Sequence, residues 1–381
     1  MTARSVKFVR LLSPMPPINK DHHFRKKITL FDVAQRAGVS RAVAGQVLNG
    51  GKGNTRYSDS SAEAVREAAK ELGYQPNYAA RQLRGKRSLT FGILVASAGD
   101  PLRSFLVQYL DAEAVKIGYR TLVGNTIGNE FVGPNQFEKQ VNEFTRSGVD
   151  GVVCAVHNWF PGDRENLLAR HPNTVFYEDP RIEGATFVTV NRAEAVRLAV
   201  NHLIERGRER IGLAVMSLGI PTGAARLAGY RDALSEGGRP FDESLVFDGA
   251  PHGLAFARFD ESRLRWDFPT AVVEASIDRL VRDGRADAIV AHDDFWAAEF
   301  IRRLRARGLH VPGDVAVVGY WNHYLADWTD PPLTTVDPSQ WTAARTIIRL
   351  LQDRMEQPEF DNYRDTRSYE IEPEMVVRAS T

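Results

Sequence analysis

The sequence predicts an α/β protein: a small all-α helix-turn-helix head over residues 28–74, followed by two doubly wound subdomains built on parallel sheets. Three observations predict it. Residues 1–88 carry 17 Lys and Arg against 6 Asp and Glu, which leaves 32 against 42 for the other 293 of the 381 residues. The chain's net charge of +1 therefore conceals a basic head of +11 and an acidic body of −10. Within the head, short apolar-periodic stretches follow one another behind capping residues. From residue 89 onward, apolar runs alternate with amphipathic stretches, as strands joined by crossover helices do.

In the head, "ITLFDVAQRAGVS" places Thr29 at an N-cap with Asp32 three residues on. Val33, Ala34 and Ala37 follow at helical spacing, and Gly38 is a stop. Ser40 caps the next helix, "SRAVAGQVLN", whose Val39, Val43, Val47 and Leu48 fall on one face while Arg41, Ala42, Gly45 and Gln46 fall on others. Two helices joined by a short turn containing Gly make a helix-turn-helix. A third helix starts near Ser58 or Ser60, with Glu63 able to close a capping box, and ends at Gly73. The glycine run "NGGKGNTRYS" is not a phosphate-cradling loop. Gln46 and Gly53 stand where G-x-x-x-x-G-K-[ST] requires Gly and Ser or Thr, and the run follows a helix rather than a strand. It is a connector from which Lys52, Arg56 and Tyr57 are placed to reach phosphates.

Read in order, "ITLFDVAQRAGVSRAVAGQVLN" and "AVREAAKELGYQPNYAARQLRGKRS" resemble the DNA-binding headpiece and hinge of the LacI/GalR family of bacterial transcription regulators. The likeness spans three capped helices, a "GYxPN" turn and an "A-x-x-L" hinge. It implies that Arg41, Ala42 and Gln46 read base edges in the major groove, Arg pairing with guanine and Gln with adenine. Thr29, Ser40, Asn49, Lys52, Arg56, Tyr57 and Asn77 join them as DNA contacts. The hinge, residues 75–88, is basic and poor in apolar residues, so it is expected to order only on DNA. There Ala80 and Leu83 of two subunits meet over the minor groove, Leu83 as a wedge. One departure stands out: the family usually has Ser-Arg where this chain has Gly45-Gln46, and the glycine weakens the helix by roughly 1 kcal/mol relative to alanine. Residues 1–27 form a basic extension with no match, expected to be disordered.

In the body, residues 89–381, "LTFGILVAS", "GVDGVVCAV", "NTVFYED", "RIGLAV", "ADAIVAH" and "DVAVVGY" read as buried strands. Between them, "FLVQYLDAEAVKIGY", "QFEKQVNEFTRSG", "AEAVRLAVNHLIERG" and "DFWAAEFIRRLRARG" read as helices. Ligands in such sheets bind beyond the strands' carboxyl ends, here in a cleft between two lobes. "AARLAGY", "HVPGDVAVVGY" and "PPLTTVD" stand in the order of the periplasmic-binding-protein-like effector domain that LacI/GalR regulators carry. That resemblance implies a ligand set. Arg226 matches an arginine that holds hydroxyls or carboxylates; His292 stands where Asn is common, beside Asp293. Asp100, Leu102 and Arg103 follow the first body strand, and Asp179 ends another. After "VVGY" the family usually has an Asp that accepts hydroxyl protons, where this chain has Trp321 and then Asn322; "TTVD" continues with Pro338 in place of a common Gln. A Trp stacks on flat or apolar faces but accepts no proton, so the ligand is expected to be held differently.

Other classes find less support. The single cysteine, Cys154, lies in an apolar run and reads as a buried, inert thiol, which excludes a disulfide framework and cysteine zinc sites. No run is long enough to span a bilayer and residues 1–27 lack a signal-peptide core, so a cytoplasmic home and no membrane partner are expected. No nucleophile elbow, dinucleotide fingerprint or metal-spaced histidines point to an enzyme or a cofactor, and "DHH" at 21–23 lacks partner ligands. A plain solute-binding protein leaves the basic head unexplained. The expected function is a repressor that binds a pseudopalindromic DNA operator as a homodimer or larger assembly, with affinity set by a carbohydrate or related metabolite between the lobes.

Overall fold

A computed structural model describes residues 28–48, 55–74, 87–96, 101–126, 136–156, 162–252, 258–260, 265–267, 270–356 and 368–381. Of the expected site residues, Asn49, Lys52, Asn77, Ala80, Leu83 and Asp100 lie outside them, as do the side chain of Leu102 and most of the hinge. The chain divides into two compact units, one up to Lys86 and one from Arg87 onward.

In the first unit, α1 (Leu30–Arg36), α2 (Arg41–Leu48) and α3 (Asp59–Leu72) enclose a core of Val33, Ala34, Ala44, Val47, Ala62, Val65, Ala68 and Ala69. The capping box at Thr29 forms: its backbone N–H donates to the Asp32 carboxylate at 2.7 Å, and its hydroxyl accepts from the Asp32 N–H at 3.5 Å. Ser58, not Ser60, caps α3, its hydroxyl accepting from the Ser61 N–H at 3.2 Å. Glu63 therefore lies two residues too far along to close a capping box. It pairs with Arg66 at 3.6 Å instead. The expected face of Gly45 is also corrected: Gly45 and Ala44 are buried, while Val43 is only half-buried. A Cβ at Gly45 would stand 3.2 Å from Leu30 Cδ2, so the glycine marks the place where α1 presses on α2.

The second unit carries two six-stranded sheets. In chain order come β1 (Thr90–Val95), α4 (Pro101–Lys116), β2 (Arg120–Asn125), α5 (Phe137–Ser147), β3 (Gly151–Ala155), α6 (Asp163–Arg170), β4 (Thr174–Tyr177) and β5 (Phe187–Val190). There the chain leaves the first lobe for α7 (Arg192–Glu205), β6 (Ile211–Val215), α8 (Pro221–Glu236), β7 (Val246–Asp248) and the small hairpin β8 (Arg258–Asp260) and β9 (Arg265–Asp267). The second lobe continues with α9 (Thr270–Ile277), β10 (Ala288–Val290), α10 (Asp294–Ala306), β11 (Ala316–Tyr320) and β12 (Thr334–Asp337). The chain returns with α11 (Gln340–Glu356) and β13 (Ser368–Ile371), then crosses a last time into β14 (Glu374–Val376).

The first sheet has the order β13-β5-β4-β3-β1-β2 and is parallel throughout. The second has the order β14-β12-β11-β10-β6-β7, parallel except where β14 closes on β12. Central strands β1, β3, β4, β6, β10 and β11 are buried along their length, as sheets covered by helices on both faces require. Cys154 on β3 is wholly buried and its thiol pKa is pushed up to about 12 by that burial, an inert group as expected.

Candidate functional site

On the head, Ser40 caps α2 by accepting from the Val43 N–H at 3.2 Å, and the two residues that follow, Arg41 and Ala42, are exposed. A helix that buries Ala44 and Val47 while presenting Arg41 and Ala42 at its N-terminus has the form of a major-groove reader. Gln46 is half-buried, and its side-chain oxygen accepts from the Thr55 backbone N–H at 3.0 Å, tying the returning connector to α2. Arg56 is exposed, whereas the Tyr57 ring packs on the head core.

In the second unit, the carboxyl ends of β4 and β11 and the N-terminus of α7 bring together a polar cluster from both lobes. Tyr177 ends β4, and Glu178 follows it with φ +87°, a backbone state costly for a residue with a Cβ. From the other lobe, Arg192 meets Glu178 with both arms of its guanidinium, Nη1 to Oε2 at 2.6 Å and Nη2 to Oε1. Glu178 Oε2 also accepts from the Thr189 hydroxyl at 2.9 Å. Burial opposes the Arg192 charge, but Glu178 outweighs it and raises the pKa.

Arg226 on α8 is buried beside this pair. Its Nη1 donates to the His292 carbonyl at 2.6 Å and lies 3.3 Å from His292 Nδ1, and its guanidinium stacks 4.5 Å from the centre of the Tyr320 ring. It makes no ion pair among the described residues. Burial pushes its pKa down to about 10, and the Arg192 charge adds to that against the pull of Tyr320, Asp293 and Glu178. His292 Nδ1 accepts from the Met216 N–H at 3.2 Å; burial, then the charges of Arg226 and Arg192, hold its pKa well below the usual range, so the ring is neutral. Three buried polar atoms here have no hydrogen-bond partner among the described residues: Tyr177 Oη, Tyr320 Oη and Arg226 Nε. Native proteins leave few such atoms, and three in one cluster indicate a place for a ligand.

Beside the cluster is a cavity of about 450 Å³, lined by the rings of Phe105, Tyr109, Trp321, His323, Tyr324 and Trp341 and by Asn322, Asp337, Ser339, Gln340, Thr342 and Glu374. Trp321 in its wall follows Tyr320 of the cluster, their ring centres 5.4 Å apart, so the two lie side by side. The size suits a small metabolite.

Of the expected ligand residues, Arg226 and His292 meet in the cluster. Arg103 reaches its edge, with its guanidinium 6.0 Å from the Tyr177 ring centre. Asp293 caps α10, accepting from the Trp296 N–H at 2.8 Å, and acts on Arg226 only through its charge. Trp321 and Asn322 line the cavity with φ +111° and +48°. The Asn322 side chain is held between Asp337 at 2.9 Å and Arg378 at 3.0 Å. Asp179 is not brought in: it is exposed and accepts from the Arg181 N–H at 2.7 Å within its own turn. Its neighbour Glu178 takes the place expected of it. Tyr177, Glu178, Arg192 and Tyr320 were absent from the sequence-based set, although "VFYED" and "VVGY" mark three of them as strand tips. Among the described residues no group of three or more His, Cys, Asp or Glu could hold a metal, and no helix is long and apolar enough to cross a membrane.

Residues 29–77 match the bacterial regulatory proteins of the lacI family, and residues 200–381 match a periplasmic binding protein-like domain. The HTH-type transcriptional repressor PurR of Vibrio atlanticus is 28% identical over 360 residues, covering 92% of this chain and 98% of that protein. The HTH-type transcriptional regulator DegA of Bacillus subtilis is 27% identical, covering 93% and 98%. Among solved structures, a transcriptional regulator CelR–cellobiose complex is 27% identical with a TM-score of 0.63, covering 93% of this chain and 100% of that one. The Lac repressor dimer bound to operator and the anti-inducer ONPF shares the fold, with a TM-score of 0.70 at 23% identity over 93% of this chain and 99% of that one. The helix-turn-helix head is thus that of the lacI family of bacterial regulatory proteins, joined to a two-lobed, periplasmic binding protein-like body, and the chain is similar over nearly its whole length to regulators built in this way.

Proposed function

We propose that this protein is a transcriptional repressor that binds a pseudopalindromic operator as a homodimer and changes its operator affinity when a small carbohydrate or related metabolite binds between the lobes. One observation carries the reading. The chain that presents Arg41 and Ala42 on a capped helix also carries an interlobe cluster with three unpartnered buried polar atoms. Arg41 reads a base edge, and Arg56 and the connector supply phosphate contacts, whose share of the affinity falls steeply with salt. A ligand bridging β4, α7 and α8 favours one lobe arrangement, and operator affinity follows the population of that arrangement. The proposed domain division is a head at 28–74, a hinge at 75–88 and an effector and dimerisation domain at 89–381. Tyr324 and Trp328, exposed and 4.8 Å apart, offer an aromatic patch for the second copy. The relatives' names describe repressors and regulators, and the reading includes no catalytic step.

The test is operator selection from a random duplex pool with the full-length protein, with and without a metabolite panel. Recovery of a two-fold symmetric motif whose yield changes with a metabolite is expected. Recovery of no motif at either low or physiological salt would overturn the reading.

A further inference from the structure

We infer that the effector is an acid, held by a carboxylate at Arg226, Tyr177 and Tyr320, rather than a neutral sugar. The inference rests on the regulator reading and specifies its ligand. Hydroxyl-rich neutral ligands need acceptors as well as donors in the site that holds them. In this cluster the carboxylate acceptors are taken. Both Glu178 oxygens receive the Arg192 fork, and one also receives Thr189. Asp293 receives the α10 N-terminus at Trp296. The position after Tyr320 is Trp321, whose indole N–H only donates.

What is left over is a buried cation and two hydroxyls, each able to donate to a carboxylate. Among the described residues, Arg226 Nε–H is a buried donor with no partner, and the Tyr177 and Tyr320 hydroxyls are buried with none. Arg226 is a buried cation whose close contacts are a carbonyl, a neutral imidazole and a ring face, with no carboxylate at ion-pair distance among the described residues. Arg192 adds a second guanidinium, already neutralised by Glu178. A carboxylate brings two acceptor oxygens and the missing charge, and a buried charge gains most from such a partner. One uncompensated guanidinium matches one negative charge, so the group is a carboxylate rather than a phosphate dianion. The neighbouring cavity of about 450 Å³, with the Asp337 and Glu374 carboxylates among its aromatic rings to accept hydroxyl protons, leaves room for the rest of a sugar acid or similar hydroxy acid.

The experiment uses the full-length protein and matched pairs: glucose with glucuronate, galactose with galacturonate, and glycerol with glycerate. Glucose 6-phosphate is the phosphate arm. Binding is read by calorimetry and by the change in operator affinity. At least one acid is expected to bind tenfold or more tighter than its neutral partner, and Arg226→Gln should abolish that preference. Circular dichroism establishes that the variant is folded, and Arg226→Lys, which keeps the charge without the fork, should retain part of the preference. Equal or tighter binding of the neutral members, tightest binding of the phosphate, or binding of none of the acids overturns the inference. Operator selection by the same preparation separates the failures. A selected motif with release by a neutral sugar sinks only the acid, whereas no motif sinks the regulator reading.

Discussion

Arg192, the first residue of a helix in one lobe, closes both arms of its guanidinium on Glu178 at a strand tip of the other, with Nη1 2.6 Å from Oε2. The pair is nearly buried, with side-chain exposures of 7% and 14%, so it clamps the lobes at the candidate effector site. Removing one partner leaves an uncompensated buried charge, which costs about 3–5 kcal/mol, whereas replacing both with apolar groups is far milder. Glu178→Gln and Arg192→Met are each expected to lower stability in urea by roughly that amount, and Glu178→Leu with Arg192→Met to recover most of it. Additive losses in the double variant would show that the two residues are not coupled.

Asp294 is wholly enclosed, accepting from the Thr335 hydroxyl at 2.5 Å and the His323 N–H at 2.6 Å. Burial raises its pKa to about 7, further helped by Asp293, against those hydrogen bonds and the Arg378 charge. The folded state then holds a proton that the unfolded chain, with a carboxyl pKa near 4, has released. Stability contributed by this group is full below about pH 4 and falls as pH rises to about 7, by up to ~1.4 kcal/mol per pH unit. Asp294→Asn should flatten that part of the profile in thermal melts between pH 4 and 7. An unchanged slope would place the titration elsewhere.

Gly229 lies where α7 and α8 cross: an added Cβ would stand 2.0 Å from the Ala193 carbonyl oxygen. Backbone cannot yield as a side-chain tip can. Gly229→Ala is expected to lose about 3 kcal/mol or more, at the upper end of overpacking effects, read as a falling melting temperature of the body.

At Gly45 the balance differs. The 3.2 Å contact would be with Leu30 Cδ2, the mobile end of a half-buried side chain, and alanine gains about 1 kcal/mol of helix propensity. Gly45→Ala should leave head stability within about 1 kcal/mol of the parent, and Gly45→Val should unfold part of the head by circular dichroism. Equal tolerance of both would mean that α1 does not rest on this position.

Gln46 has two roles to separate, anchoring Thr55 and reading a base. Gln46→Glu keeps the acceptor for the Thr55 N–H but lacks the amide donor that adenine N7 requires. Gln46→Ala loses both. Operator selection should show Glu changing the preferred base while the melting temperature of the head holds, and Ala changing both. If Glu and Ala give the same base profile and the same melting temperature, the anchor carries no weight.

Much of this was legible in the sequence for local reasons. Capping at Thr29 and Ser40 is decided by residues three apart, and continuous apolar runs such as "DVAVVGY" announce strands covered on both faces. The edge strands β2, β13 and β14 were not read, because half-exposed strands lack such runs. The capping of α3 by Ser58 rather than Ser60 was open because three serines within four residues can each start a helix. The pattern of side chains puts Gly45 on the wrong face because a missing Cβ gives no periodic signal, and only the approach of Leu30 shows what it serves.

For the candidate site, the sequence by itself singled out Arg226 and His292 through motifs at fixed places along the chain, and the structure brings these two together. Which carboxylate enters the cluster beside them is a matter of tertiary structure. Glu178 and Asp179 are adjacent and chemically alike, and only the turn after β4 sends one into the cleft and the other to solvent. Arg192 opens a helix like any other in the sequence, and its pairing with a residue of the opposite lobe depends on where the chain crosses between sheets. Burial, unpartnered atoms and the surplus of donors arise from groups distant in sequence being brought together away from water, and no local pattern encodes that.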